Sequence, residues 1–168
     1  MNNFSKILKQ GQKLACITLD FELDYGDRVE EFNILEEEQS ILQLSKLFAD
    51  LNTPVSTFIR TDTLLNYPGS IEIIKLLSND YHCHSHTHDT QNFDSKTEIS
   101  TCASTFESVF DCKPLGYRAP QGVLYNGDIE LIKKNGFKFS SSIFPSYRPG
   151  KYNNLSLPLD PFVYENGI

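Results

Sequence analysis

The stretch Val55 to His88, VSTFIRTDTLLNYPGSIEIIKLLSNDYHCHSHTH, reads as strand, helix, strand, and its last seven residues hold all four histidines of the chain. Pro54 restarts the chain ahead of the β-branched and aromatic run Val55 to Arg60. Asp62 or Ser70 then offers a cap to a helix whose apolar stripe is Ile71, Ile74 and Leu77. Tyr81 to Ser85 returns as a short strand that runs into the histidines. Strand, crossover helix and strand make a βαβ unit, which pairs its strands in parallel.

The same alternation extends both ways. Upstream, Leu14 to Phe21 (LACITLDF) is a β-rich run closed by a cluster of acids. Glu36 to Leu51 follows, with Ile41, Leu44, Leu47, Phe48 and Leu51 at helical spacing behind three Glu that suit the N-terminal dipole. Downstream, Lys96 to Phe110 sets Ile99, Ala103, Phe106 and Phe110 on one helix face, and Leu115 to Arg118 is strand-like ahead of Pro120. Asp128 to Asn135 is a short helix stopped by Gly136, and Phe137 to Ile143 is another strand. Ser156 to Ile168 (SLPLDPFVYENGI) reads as loop. The expected fold is α/β with a mainly parallel sheet, wound by right-handed crossovers into an open doubly wound sheet or a barrel.

Bulk composition bounds the function. At 168 residues, with 39% hydrophobic and 22% charged residues, the chain is expected to form one globular domain. A net charge of −7 argues against nucleic acid or an anionic membrane as the main partner. No stretch approaches the roughly 20 apolar residues of a membrane span. The segment Met1 to Lys13 is polar and lacks an apolar h-region, so the cytoplasm is the expected compartment. Cys16, Cys83, Cys102 and Cys112 form no CxxC pair and no disulfide framework. Cys16 and Cys102, set among apolar or small neighbours, read as buried thiols.

The chemistry concentrates in His82-Cys83-His84-Ser85-His86-Thr87-His88. Imidazole is the commonest protein ligand for transition metals, and this run has no adjacent Lys or Arg. A metal site outweighs a solvated loop, and the run's internal position excludes a terminal tag. Asp20, Glu22 and Asp24 follow the first strand, His84 to His88 the third, and Arg118 the fourth. Strand C-terminal ends share one face of a parallel barrel, where active sites are built. One carboxylate and two imidazoles leave zinc a fourth position for water, and a second carboxylate can act as its base. Asp24 and the acids beyond it, Asp27, Glu30 and Glu31, read as a solvated turn; Asp20 ends an apolar strand expected to be buried.

With these residues the chain resembles the polysaccharide deacetylases of carbohydrate esterase family 4, the metal-dependent enzymes that include chitin-oligosaccharide deacetylases. Asp20-Phe21-Glu22 looks like a spaced form of their acid pair, His84-Ser85-His86-Thr87-His88 matches their His-Ser/Thr-x-x-His, and Arg118-Ala119-Pro120-Gln121-Gly122 matches their Arg-x-Pro-x-Gly. The resemblance covers about Leu14 to Ile143. It implies a distorted (β/α) barrel and metal-assisted removal of acetyl groups from an N-acetylated sugar, a polysaccharide or a glycan precursor. Asp20 would be the base, and Arg118 would pair with it and keep it ionised and oriented. Glu22, His84 and His88 would hold a divalent metal, with Asp24 as the alternative to Glu22. Zinc suits the mixed nitrogen and oxygen set, and cobalt or nickel can substitute. The metal and a backbone N–H near Gln121 would stabilise the oxyanion.

Besides the spaced acid pair, two departures stand out. Gln121 replaces the commoner aromatic, and the family's last motif, a Leu-His pair supplying a general acid, has no counterpart after His88. Five or six strands fall short of a closed barrel, so a single catalytic domain spanning 1–168 is expected to continue beyond Ile168. Three other readings stay open. Amidohydrolase-type hydrolases also use His-x-His, but after the first strand, where this chain carries acids. A non-catalytic sugar- or metal-binding relative fits the missing general acid. A structural zinc site using Cys83 is the third. His82 and His86 are expected to orient or to be solvated rather than to ligate.

Overall fold

The computed structural model of the chain describes residues 15–22, 38–78, 80–87, 93–164 and 167–168. Five strands, β1 (Ile17–Phe21), β2 (Val55–Ile59), β3 (Asp80–Cys83), β4 (Gly116–Tyr117) and β5 (Phe139–Ser140), pair in parallel in the order β1-β2-β3-β4-β5. Five helices connect them: α1 (Glu38–Asp50), α2 (Thr61–Asn66), α3 (Ser70–Leu77), α4 (Ser95–Phe110) and α5 (Asp128–Lys134). A strand order that never reverses keeps every crossover on one face, as in a barrel and unlike a doubly wound sheet. Among the described residues the sheet is open, with β1 and β5 at its edges.

Alternation along the strands sorts the two faces. Ile59, Cys83 and Tyr117 pack under the helices against Ile74 of α3, Ile99, Cys102 and Phe106 of α4, and Ile132 of α5. Each large apolar side chain buried there contributes about 1.5–3 kcal/mol. The opposite face carries Phe58 and His82, both buried, with the Phe139 ring set edge-on to each. Gly116 is required at this point: a Cβ there would lie 2.4 Å from the Phe139 ring.

The structure corrects several expectations. The segment read as one helix is two, α2 and α3, because Pro68 cannot continue α2. Asp62 sits in the first turn of α2 and Ser70 is the first residue of α3, so neither is a cap. Cys16 is exposed while Cys102 is buried, and all four cysteines are free. Strand β1 is mostly exposed, with Phe21 alone buried, because it lies at a sheet edge. An antiparallel hairpin, β6 (Tyr147–Arg148) and β7 (Tyr152–Asn153), occupies a stretch the sequence left unassigned. Among the described residues no helix is long and apolar enough to cross a membrane.

Candidate active site

The sheet register brings the predicted clusters to one end. Asp20 lies opposite Phe58, Ile59 opposite Cys83, and Cys83 opposite Tyr117, so Glu22, His84 and Arg118 all follow the C-terminal ends of parallel strands. The His84 N–H donates to the Ile59 carbonyl at 2.7 Å and the Arg118 N–H to the Cys83 carbonyl at 2.8 Å, carrying the ladder to both functional residues.

Beyond β3 the chain turns sharply. Ser85 is fully buried with φ 55°, a left-handed conformation that costs energy for a side chain bearing a Cβ. Hydrogen bonds hold it there. Its hydroxyl donates to the Thr87 carbonyl at 2.6 Å, and the Ser85 and His86 carbonyls accept from the Thr61 and Asp62 amides at the start of α2, each at 3.1 Å. Glu98 in the first turn of α4 completes the clamp. Its carboxylate accepts from the His86 N–H (3.2 Å), the Thr87 N–H (2.7 Å) and the Thr87 hydroxyl (2.8 Å). Helix α4 is itself started by Asp94, whose side chain accepts from the Thr97 N–H at 3.2 Å.

His84 is almost fully buried, and its Nδ1 lies 3.0 Å from the Arg118 carbonyl oxygen. A carbonyl can only accept, so this bond puts a ring proton on Nδ1 and, in the neutral ring, the lone pair on Nε2. Metal-ligating histidines are oriented in this way. Nε2 lies 3.7 Å from Asp20 Oδ2 and faces that carboxylate. His84 can thus offer Nε2 to a divalent metal at this point, with Asp20 beside it as a base, and Glu22, partly buried, follows two residues after Asp20. His88 and Asp24 lie outside the described residues, and no group of three metal-ligating side chains is assembled among those described.

Arg118 is fixed from several directions. Nη1 donates to Asp20 Oδ1, Nη2 to the Ser141 hydroxyl at 2.8 Å and the Thr18 hydroxyl at 3.2 Å, and Nε to the Ser141 carbonyl at 3.2 Å. Its guanidinium carbon stands 3.8 Å from the centroid of the Phe58 ring, a cation–π contact. Asp20, with 38% of its side chain exposed, therefore reaches solvent from a held position. The strand it ends is mostly exposed, where the sequence suggested a buried one.

The loop after Arg118 turns through Pro120–Gly122, with Gln121 left-handed at φ 54°. The Arg118, Ala119, Gly122 and Val123 amides all have partners, and Pro120 has no N–H. Gln121 thus carries the one loop N–H without a partner among the described residues. An oxyanion donor must be available in this way.

The two other described histidines divide. His86 Nδ1 meets the Thr61 hydroxyl at 3.0 Å, an orienting contact. His82 is buried between Phe58 and Phe139 rather than solvated, with Nε2 3.2 Å from Asp80 Oδ2. Burial holds its pKa below the ordinary histidine value, against the upward pull of Asp80. Sequence reasoning missed Glu98, Ser141, Phe58 and Thr18. Only Thr18 had a signal, its place two residues before Asp20 on one strand face.

No family model matches the sequence, and no curated protein matches it. Solved structures do. A protein of Mycobacterium smegmatis assigned as a polysaccharide deacetylase matches with a TM-score of 0.61 at 18% identity, over 78% of this chain and 51% of that one. A family 4 carbohydrate esterase from Streptomyces lividans, solved with acetate, matches with a TM-score of 0.51 at 16% identity, over 74% and 60%. A carbohydrate esterase family 4 pseudoenzyme from Bacillus anthracis matches with a TM-score of 0.52 at 12% identity, over 74% and 42%. The chain spans about half the length of the first of these. Its structural neighbours include polysaccharide deacetylases and other carbohydrate esterase family 4 proteins, and it shares their fold. Turnover does not follow from the fold, since a pseudoenzyme has it too.

Proposed function

We propose that the chain forms the site of a metal-dependent deacetylase that hydrolyses the acetamide of an N-acetylated sugar. The observation that carries this reading is the meeting of Asp20, His84 and Arg118, brought from three strands to one point. A divalent metal held by His84 with His88 and either Glu22 or Asp24 would acidify water and polarise the amide carbonyl. Zinc suits the ligand set, with cobalt or nickel as substitutes.

The chain's own residues supply the rest. Asp20 takes a proton from the attacking water as its oxygen bonds to the carbonyl carbon. Arg118 and Thr18 hold the carboxylate and its cation in register. The Gln121 N–H donates to the oxygen that gains charge. When the carbon–nitrogen bond breaks, the proton now on Asp20 passes to the departing amine, leaving acetate and a free amino sugar. This route gives both proton transfers to Asp20.

A second reading, a sugar- or metal-binding relative without turnover, is favoured by the pseudoenzyme of Bacillus anthracis that shares this fold. One experiment separates them. The full-length protein is loaded with zinc and its acetate release from N-acetylglucosamine oligomers is followed, beside metal content for wild type, His84→Ala and His88→Ala. Acetate release that tracks metal content supports the deacetylase. Metal binding and glycan binding with no acetate supports the second reading, and equal metal in all three proteins refutes the ligand set.

A further inference from the structure

The β6–β7 hairpin lays two cations on the loop that follows Arg118. Lys151 Nζ donates to the side-chain carbonyl of Gln121, and Arg148 Nη1 lies 3.4 Å from the Gln121 backbone oxygen. Both residues are exposed, and neither meets a carboxylate among the described residues. In a chain of net charge −7, two cations fastened to one glutamine and left without an acid are poorly explained as surface pairing. A cleft of about 200 Å³ opens beside Lys151, lined by Phe93, Pro120, Val123, Tyr125, Gly150 and Lys151 itself, and Arg148 reaches the same loop through Gln121. The Phe93 and Tyr125 rings stand 5.7 Å apart and tilted by 33°, giving the cleft an aromatic wall.

These features divide the work of recognising a sugar. An aromatic wall accepts the apolar face of a ring, while a few placed polar groups fix orientation. Lys151 acts as a point charge and Arg148 as a planar fork, and both suit a carboxylate or a phosphate. Pro120 and Gln121 belong to the loop that carries Arg118, so a sugar in this cleft neighbours the one whose acetamide reaches Asp20. We propose that the cleft is a subsite for an anionic sugar, bearing a carboxylate or phosphate, adjacent to the residue that is deacetylated. The proposal rests on the deacetylase reading for what lies next door, and on the cleft for the charge preference. A neutral glycan would bring no counter-charge to the two cations, which is a discrimination against it.

The test uses the full-length protein and three probes: N,N′-diacetylchitobiose, its 6-phosphate, and a disaccharide of N-acetylglucosamine and N-acetylmuramic acid. Affinities are measured by NMR titration, and acetate release is followed on the same probes. An acidic probe should bind about fivefold tighter than the neutral one for each cation it engages. The two acidic probes show whether phosphate or carboxylate is preferred. The advantage should vanish at high salt. It should shrink in Lys151→Gln and Arg148→Gln and reverse in Lys151→Glu, with unfolding midpoints confirming each fold; if Lys151→Glu does not fold, Arg148→Gln carries the comparison. Equal affinity for all three probes, no binding at all, or an acidic preference that the variants leave intact would overturn the subsite. Acetate release without charge preference would overturn the subsite and keep the deacetylase reading. Charge-selective binding without acetate release would keep the subsite and overturn that reading.

Discussion

The Arg118 guanidinium at the end of β4 grips the Asp20 carboxylate of β1, although β2 and β3 lie between those strands. In a flat sheet, strands three places apart are about 14 Å apart and their side chains stand roughly parallel, so such a pair would not meet. They meet on the face that carries Phe58, and the guanidinium lies on that ring as it crosses. That crossing places the candidate base and its cation within one hydrogen bond.

Replacing Asp20 by Asn separates binding from chemistry. The variant keeps its size and most of its contacts but cannot accept a proton from water. Metal content should stay at the wild-type level, while acetate release falls by about 10²–10⁴-fold. Arg118→Lys should also be costly, because an ammonium cannot reproduce the bonds to Asp20, Thr18 and Ser141 from one plane. Retained turnover in Asp20→Asn would assign the base to another group.

Glu98 gives a prediction for a residue far from the reacting atoms. Its carboxylate accepts from both the His86 and Thr87 amides, in the turn that follows His84. Glu98→Ala removes three hydrogen bonds and should lower zinc affinity by roughly 10–100-fold, the usual cost of losing an outer partner of a metal site. Glu98→Gln should restore most of it, since an amide oxygen can accept both N–H groups and the amide nitrogen can donate to the Thr87 hydroxyl. Competition with a chromophoric chelator reads the affinity, and hydrogen exchange at residues 86 and 87 reads the loop. Unchanged affinity in Glu98→Ala would remove Glu98 from this role.

The sequence revealed what repeats or clusters. Helical periodicity found α1, α3 and α4, Gly136 marked the end of α5, and the motif residues Asp20, His84 and Arg118 were legible because each lies at the end of a strand. Partners recruited across the fold left no local mark. Glu98 looks like an ordinary first-turn acid of α4, and Ser141 like one of a row of serines. Burial of β1 was misjudged because an apolar run does not say whether a strand is central or at an edge. The β6–β7 hairpin escaped because its strands are two residues each, too short for a period to show.

Gly122 provides a test of the loop that presents the Gln121 N–H. Its φ is +71°, and a Cβ would lie 2.5 Å from the Phe144 ring and 3.1 Å from the Ser142 carbonyl oxygen. Gly122→Ala should therefore destabilise by about 1–3 kcal/mol, from left-handed strain and overpacking together. Because the loop must shift to admit the methyl group, kcat should fall more than KM rises. A wild-type unfolding midpoint and kcat in this variant would show that neither the backbone shape nor the donor matters.

The last prediction concerns alkaline pH. Tyr117 is 1% exposed, and its ring packs against Phe137 at 5.4 Å in the core between sheet and helices. Burial pushes its phenol well above the ordinary value of 10, with Cys102, Asp128, Glu98 and Cys83 adding to the rise. A raised folded pKa means that the fold favours the neutral phenol and the unfolded chain loses its proton first. The stability from this group is therefore fully present below about pH 10 and is lost as pH climbs through the folded value. The Cys83 thiol, also pushed up by burial, acts in the same direction from about pH 9. Tyr117→Phe keeps the ring and removes the ionisation. Urea midpoints measured from about pH 8 to about 11.5 should fall more steeply for wild type than for Tyr117→Phe above pH 10. Parallel profiles would mean that the Tyr117 hydroxyl reaches water before the fold opens, and the burial argument for this part of the core would fail.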